Sequence, residues 1–243
     1  MLCKKFAFPE NSSIDNPEIA AVSEAVEKLC TPFHIKHAVV NIQCVKECIE
    51  MGLISDAILT TREVKVYERF RIIKRRADWL AGRIGAKLAV SSFFKTQCPE
   101  KNEILPDENG APYLSNYNGV TISISHSGSV AIAIAANFAA GVDIEQNEQR
   151  PEALINAVMS ARELHYVNGL NQQKRMQEVN RLWTCKEAVV KVGKWGGKKN
   201  FKMINCLNNP LTIENRTIHH ISNIIGRYAI TLAYEPIGDC QNG

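Results

Sequence analysis

At 243 residues, with 45% hydrophobic and 22% charged side chains, the chain has the composition of an ordinary soluble globular protein built on one core or two closely packed halves. The opening MLCKKFAFPENSS has no apolar run long enough for a signal peptide, and no later stretch reaches membrane-spanning length, so a cytoplasmic protein without membrane contact is expected. Eight scattered cysteines without a CxxC pair or a Cys/His metal spacing argue for reduced thiols, and the net charge of +4 is mild.

The first 60 residues carry no chemistry-bearing motif. PEIAAVSEAVEKL reads as an amphipathic helix and HAVVNIQCV as a short strand; Cys44 and Cys48, four apart, read as one helix face. A long helical pattern then runs from Arg62 to Val90, with Gly82 and Gly85 as internal weak points. From Arg62 to Lys87 nine Lys/Arg face three acids, a basic stripe suited to phosphates or an acidic protein, or else a plain solvated face. CPEKNEILPDENGAPYLSN reads as a loop with room for a short strand. VTISISHSG and SVAIAIAANF follow as two strands joined at Ser127, Gly128 and Ser129, and Gly141 breaks the pattern before VDIE.

Ser160-Ala-Arg-Glu163 is a capping box. A second helix is expected from Asn180 to Val192, stopped by Gly193 and the Gly196-Gly197 pair. TIHHISNI and RYAITLAYEP close the chain as strands, with His219 and His220 on opposite faces and so unsuited to one metal. GSVAIAIAANF and GRYAITLAYEP echo each other, which points to two α/β halves with a boundary near Gly141.

Asp143 and Glu145 stand at i and i+2, so on a strand both carboxylates project from one face while Ile144 packs on the other. Such a pair can hold Mg²⁺, yet a lone D-x-E is more often a chemically idle pair of strand-end acids. In RLWTCKEAVVKVG, Leu182, Cys185, Val189 and Val192 form a core stripe; Glu187 lies opposite, with Trp183 one turn before it, Lys191 one turn after and Val190 alongside. Periodicity leaves open whether this face is an active one or carries a simple i,i+4 ion pair.

G-V-D-I-E at 141–145, followed 44 residues after Asp143 by the glutamate of W-T-C-K-E-A-V-V-K (183–191), resembles the signature of the 4′-phosphopantetheinyl transferases. Collinear segments resemble the same family: Asn109-Gly-Ala-Pro-Tyr-Leu114, Ser123-Ile-Ser-His-Ser-Gly128, Ser160-Ala-Arg-Glu163, and Arg76-Ala-Asp-Trp-Leu-Ala-Gly-Arg83, the last as in the longer, Sfp-type members. The resemblance implies an α/β (α+β) fold of two pseudo-symmetric halves, each a small, mainly antiparallel sheet with a packed long helix, and an active site between them. It implies an N-terminal half, 1–140, with the coenzyme A 3′-phosphate contacts and the basic helix 62–90. The C-terminal half, 141–243, would carry the Mg²⁺-binding acids and the catalytic helix 180–192.

The same resemblance assigns roles. Asp143, Glu145 and Glu187 would bind Mg²⁺, with Glu187 also the general base. Lys186 and Lys191 fall where the family has lysines near the phosphates; helical angle favours Lys191 for the direct role, because Lys186 flanks the core stripe. Arg76, Arg83, Ser125 and His126 match coenzyme A-contacting positions, together with Asp143, Lys186 and Lys191, and Trp183 would pack. Ala111 stands where some members have a lysine, so Lys74 or Arg75 is left to compensate, and Ile144 supplies no third oxygen. The implied reaction moves phosphopantetheine from coenzyme A to a serine of an acidic acyl or peptidyl carrier protein, releasing 3′,5′-ADP, in a monomer. A non-catalytic coenzyme A- or carrier-binding protein is the alternative. A nucleic-acid binder would leave the three acids unexplained and has no recognisable binding motif.

Overall fold

A computed structural model describes residues 16–53, 58–196 and 199–236. The opening segment, Cys3, Cys240 and Gly197 of the expected glycine pair lie outside the described residues. The chain divides into two compact units, Met1–Ala136 and Asn137–Gly243. Small antiparallel sheets and long helices make both units mixed α/β.

In the first unit, helix α1 (Pro17–Cys30) starts where Asn16 accepts from the backbone of Glu18 and Ile19, with Pro17 fixing the first turn. Its buried stripe of Ile19, Val22, Val26 and Leu29 follows the helical period. Strand β1 (Lys36–Asn41) ends sooner than expected, because Asn41 caps helix α2 (Ile42–Glu50) through Gln43 N. Cys44 and Cys48 lie buried on that helix, and the six described cysteines are all free thiols.

The expected single helix over 62–90 is two helices. Helix α3 (Thr61–Tyr67) opens on a capping box of Thr60 and Glu63, and helix α4 (Ile73–Phe94) starts after an extended Ile72. Between them Phe70 packs on Trp79 at 6.0 Å, and Arg76 Nε donates to Phe70 O at 2.6 Å. Arg and Lys are good helix formers, so the basic run conceals this break. The stripe is also dispersed: Arg83 and Lys87 are buried, while Lys65, Arg69, Arg71, Lys74 and Arg75 are exposed.

A hairpin of strands β2 (Ile104–Pro106) and β3 (Pro112–Leu114) fills the loop-like segment. Strands β4 (Thr121–Ser127) and β5 (Val130–Ala136) complete a sheet of order β1-β5-β4. Helix α4 packs across this sheet through small residues. A Cβ on Gly82 would stand 2.8 Å from Ile124 Cγ2, and one on Gly85 3.3 Å from Ala133 Cβ, so these glycines permit close packing rather than weaken the helix.

In the second unit, strand β6 (Ala140–Gln146) pairs with β9 (Tyr228–Tyr234), then β8 (Arg216–Ile225) and β7 (Leu211–Ile213), all antiparallel. Gly141 does not break the strand; it lies within it. A Cβ there would come 2.3 Å from Ala188 O and 3.0 Å from Val192 N, so only glycine lets the long helix approach so closely. Helices α5 (Glu152–Val158) and α6 (Ala161–Asn168) precede helix α7 (Gln172–Gly193), which begins well before the expected Asn180 because Asn171 caps it. Its buried face of Leu182, Cys185, Val189 and Val192 joins the core of this unit. His220 is buried on β8 with Nε2 against Asn208 O at 3.0 Å, while His219 stacks on Tyr234. Among the described residues no helix is long and apolar enough to cross a membrane.

Candidate active site

The period of two along β6 places Asp143 and Glu145 on one face and Ile144, fully buried, on the other. Asp143 is buried, and its Oδ1 accepts from Lys191 Nζ at 2.7 Å. Lys191 Nζ also donates to Val142 O at 3.0 Å. The ion pair of Lys191, which periodicity left open, runs not to Glu187 on its own helix but to a strand 48 residues away.

Glu145 is held by two residues that sequence reasoning did not place there. Trp183 Nε1 donates to Glu145 Oε1 at 3.0 Å, and Arg150 forms an ion pair with Oε2 at 3.2 Å. The Arg150 guanidinium stacks on Trp183 at 4.9 Å, and its Nε donates to the buried Asn180 Oδ1 at 2.8 Å. Trp183 does pack, tilted on Phe201 at 5.7 Å, but its N–H also fixes a carboxylate. Arg150 carried no local signal: Glu145 is five residues before it, outside both the strand and helix periods, and Asn180 and Trp183 lie on a helix distant in sequence.

Glu187 projects from α7 and responds to this group. Burial raises its pKa above the usual carboxylate range and the charges of Asp143 and Glu145 raise it further, while Lys191 and Arg150 oppose them. Three carboxylates thus share one electrostatic environment. Among the described residues, no set of three or more His, Cys, Asp or Glu side chains is gathered in a geometry that would hold a metal ion. Mg²⁺ keeps several waters and takes one or two carboxylates plus substrate phosphates, so it needs no closed protein cage. The donors here are hard carboxylate oxygens whose mutual repulsion favours a cation, and in that chemistry they fit Mg²⁺.

Lys186 is not with the acids. It is fully buried, ion-paired to Glu163 at 2.7 Å, on the core side of α7.

The first unit holds a cleft of about 660 Å³ lined by Lys74, Arg75, Trp79, Gly82, Arg83, Ile124 and His126, among others. Arg83 is only 6% exposed, lies over the Trp79 ring at 4.8 Å, and has no hydrogen-bond partner at Nε or Nη1. Desolvation lowers its pKa to about 10. Ile124 and His126 share the cleft face of β4; the alternation of the strand turns the buried Ser125 to the other face. Arg76 is absent from the lining: it holds Phe70 O and stacks on Tyr67 at 5.3 Å. Two expected coenzyme A contacts, Ser125 and Arg76, are thus directed away from this cleft. Gly110 and Pro112 line it, while Ala111 N donates to Asp107 Oδ1 at 2.9 Å.

These surfaces lie in segments with known counterparts. The sequence model of the 4′-phosphopantetheinyl transferase superfamily matches residues 139–233, and that of the 4′-phosphopantetheinyl transferase N-terminal domain matches residues 69–136. The 4′-phosphopantetheinyl transferase AcpT of Salmonella typhi is 32% identical over 120 residues, covering 48% of this chain and 58% of that protein. A holo-[acyl-carrier-protein] synthase of Lactococcus lactis subsp. cremoris (strain SK11) is 38% identical over 86 residues, covering 32% of this chain and 72% of that protein. Among solved structures, a holo-(acyl-carrier-protein) synthase from Bacillus anthracis str. Ames in complex with CoA (3′,5′-ADP) has a TM-score of 0.37 at 26% identity, covering 42% of this chain and 91% of that one. The chain belongs to the 4′-phosphopantetheinyl transferase superfamily. Matches to both the N-terminal and the transferase models place it with the longer, two-domain type. It spans 58% of the length of the Salmonella typhi relative.

Proposed function

We propose that the protein transfers the 4′-phosphopantetheine group of coenzyme A to a serine hydroxyl of an acyl or peptidyl carrier protein. What supports this reading is the placement of Asp143 and Glu145 on one face of β6 near Glu187 of α7, where burial and then the neighbouring acids raise the proton affinity of Glu187. A carboxylate so tuned accepts a proton more readily than an ordinary one.

Asp143, Glu145 and Glu187 would hold Mg²⁺, which supplies neutralisation of pyrophosphate charge when bound. Trp183 and Arg150 fix the rotamer of Glu145, and Lys191 fixes that of Asp143, so the donors are oriented before substrate arrives. Lys191, with its side chain 27% exposed, presents a positive charge beside Asp143 for a phosphate oxygen. In the first unit, Arg83, His126, Lys74 and Arg75 offer cationic and hydrogen-bonding groups suited to a 3′-phosphate dianion, with Trp79 and Ile124 as apolar surface. In the reaction, the serine Oγ bonds to the phosphorus bearing the pantetheine arm as the bond to 3′,5′-ADP breaks. The serine proton passes to Glu187.

Incubating an apo carrier protein with coenzyme A and Mg²⁺ is expected to add one phosphopantetheine mass at its serine. No modification across fatty-acid, polyketide and nonribosomal-peptide carriers would refute the assignment. Glu187→Ala is expected to abolish transfer while leaving the circular dichroism spectrum unchanged.

A further inference from the structure

Each unit buries one lysine against one glutamate, with both side chains at 0% exposure: Lys87 with Glu63 and Lys186 with Glu163, at 2.7 Å in both cases. The two pairs share one wiring. Each glutamate closes a capping box as the third residue of its helix, accepting at Oε2 from the cap backbone: Thr60 N at 2.8 Å in one unit, Ser160 N at 2.7 Å in the other. Each accepts at Oε1 from a backbone N–H beyond the long helix: Ile104 N at 3.0 Å, Cys206 N at 2.9 Å. The Lys87 ammonium donates to Asn102 O and Glu100 O, and the Lys186 ammonium to Ile204 O and Phe201 O.

The frames match as well. Helices α4 and α7 each have 22 residues, and the lysine stands fourteen residues past the first. Both helices end on a lysine of positive φ, Lys95 at 55° and Lys194 at 53°. Counted from the hairpin glycines Gly128 and Gly226, the rungs that pair Asp143 with Thr231 and Glu145 with Ala229 correspond to Ala38 with Ala133 and Val40 with Ala131. The same count along the helices sets Leu88 opposite Glu187. The first unit thus has the whole ion pair but alanine, valine and leucine at the three acid positions. A device complete where the acids are missing is not part of their chemistry. Moreover, an ammonium has three donors, and those of Lys186 go to Glu163, Phe201 O and Ile204 O, which leaves none for a phosphate.

We propose that Lys186 is a positioning residue. With Glu163 it forms a strut that fixes α7 to the start of α6 and to the segment 201–206, and so sets the pose of Glu187 one residue on. Lys87 and Glu63 are the same strut in the first unit. The effect on transfer rests on the reading of Glu187 as the base; the strut itself does not.

The test is a double-mutant cycle in the full chain, Glu163→Gln with Lys186→Met, beside Glu63→Gln with Lys87→Met. Thermal midpoint and steady-state transfer to an apo carrier are measured at a temperature where all variants are folded. Each single variant strands a buried charge or polar group and lowers Tm, and each double recovers most of the loss. At comparable loss of Tm, Lys186→Met lowers kcat about tenfold more than Lys87→Met, and the Glu163→Gln/Lys186→Met double returns kcat and the KM for coenzyme A to within about threefold of the parent. A double with restored Tm but kcat still down about a hundredfold would show that Lys186 touches the phosphates and overturn the proposal. Equal kcat losses for Lys186→Met and Lys87→Met would overturn the positioning role, and a double no more stable than its weaker single would overturn the strut. A parent inactive on every carrier refutes the transferase reading alone, since the Tm cycle still decides the strut.

Discussion

Glu187 and Arg83 are charged groups whose own surroundings disfavour their charge. Burial and the neighbouring acids raise the pKa of Glu187, while desolvation lowers that of Arg83 to about 10. Both arrangements suit a ligand of opposite charge, at the cost of stability in the empty protein. For Glu187 the folded pKa lies above the unfolded one. The stabilising contribution is therefore present below the unfolded value and lost as pH rises through the folded value. Glu187→Gln is accordingly expected to raise the Tm of the metal-free chain at pH 8 but not at pH 4, by scanning calorimetry, while transfer falls by about 10²–10⁴. Arg83→Met, which removes a buried guanidinium with two unpartnered nitrogens, is expected to raise Tm without ligand and to raise the KM for coenzyme A at least about tenfold. A fall in Tm would show that Arg83 is a structural group. The face shared by Asp143 and Glu145 and the polar side of α7 were legible from periods of 2 and 3.6. The partner of Lys191 was not, because Glu187 at i+4 spacing competes with Asp143, which only the tertiary fold brings within 2.7 Å.

Among the elements, β6 against α7 shows what a single missing side chain permits. Gly141 reads in sequence as a punctuation mark, since glycine more often interrupts a strand than enables one to be covered closely. In the fold it is where α7 meets the strand that carries Asp143 and Glu145. Gly141→Ala is expected to destabilise the protein by about 3 kcal/mol or more, because backbone rather than a flexible side chain lies 2.3 Å from the new Cβ. Gly226→Ala, with nothing within 4 Å but a φ of +53°, is expected to cost only about 1 kcal/mol. Urea titration of both separates the two causes, and equal losses would show that the Gly141 contact relaxes freely. The capping box at Ser160 and the closing strands were readable in advance because their signals are local. The break between α3 and α4 was not, since it is made by the packing of Phe70 and Tyr67 on Trp79 in a run of good helix formers.

Across the whole molecule, charge is sorted by burial rather than by position along the chain. Of the nine cations from Arg62 to Lys87, Arg83 and Lys87 are buried, Arg62 pairs with Glu103, Lys74 with Asp78 and Arg76 donates to Phe70 O, while Lys65, Arg69, Arg71 and Arg75 are exposed. The surface near the start of α4 is therefore basic, with exposed Ile72 and Ile73 beside it. If it steers an acidic carrier, raising NaCl from about 50 to 500 mM raises the KM for the carrier, and Arg69→Glu/Arg71→Glu reproduces that rise at low salt. An unchanged KM in the charge-reversed protein would remove this surface from carrier recognition. The uneven charge was visible in the sequence; which of its members reach solvent was not, because a helix break and two buried cations reorganise it.

Trp183, clamped between Glu145 and Arg150, has a consequence for how the protein can be observed. An indole whose N–H touches a carboxylate and whose ring carries a guanidinium changes its emission when either group moves. Replacing the other two tryptophans, Trp79 and Trp195, with phenylalanine leaves a single tryptophan, excited apart from the six tyrosines at the red edge of absorption, beside the acids. A divalent cation drawn to Glu145 then reports its own arrival as a change in quantum yield, so occupancy is followed in real time without label, carrier or turnover.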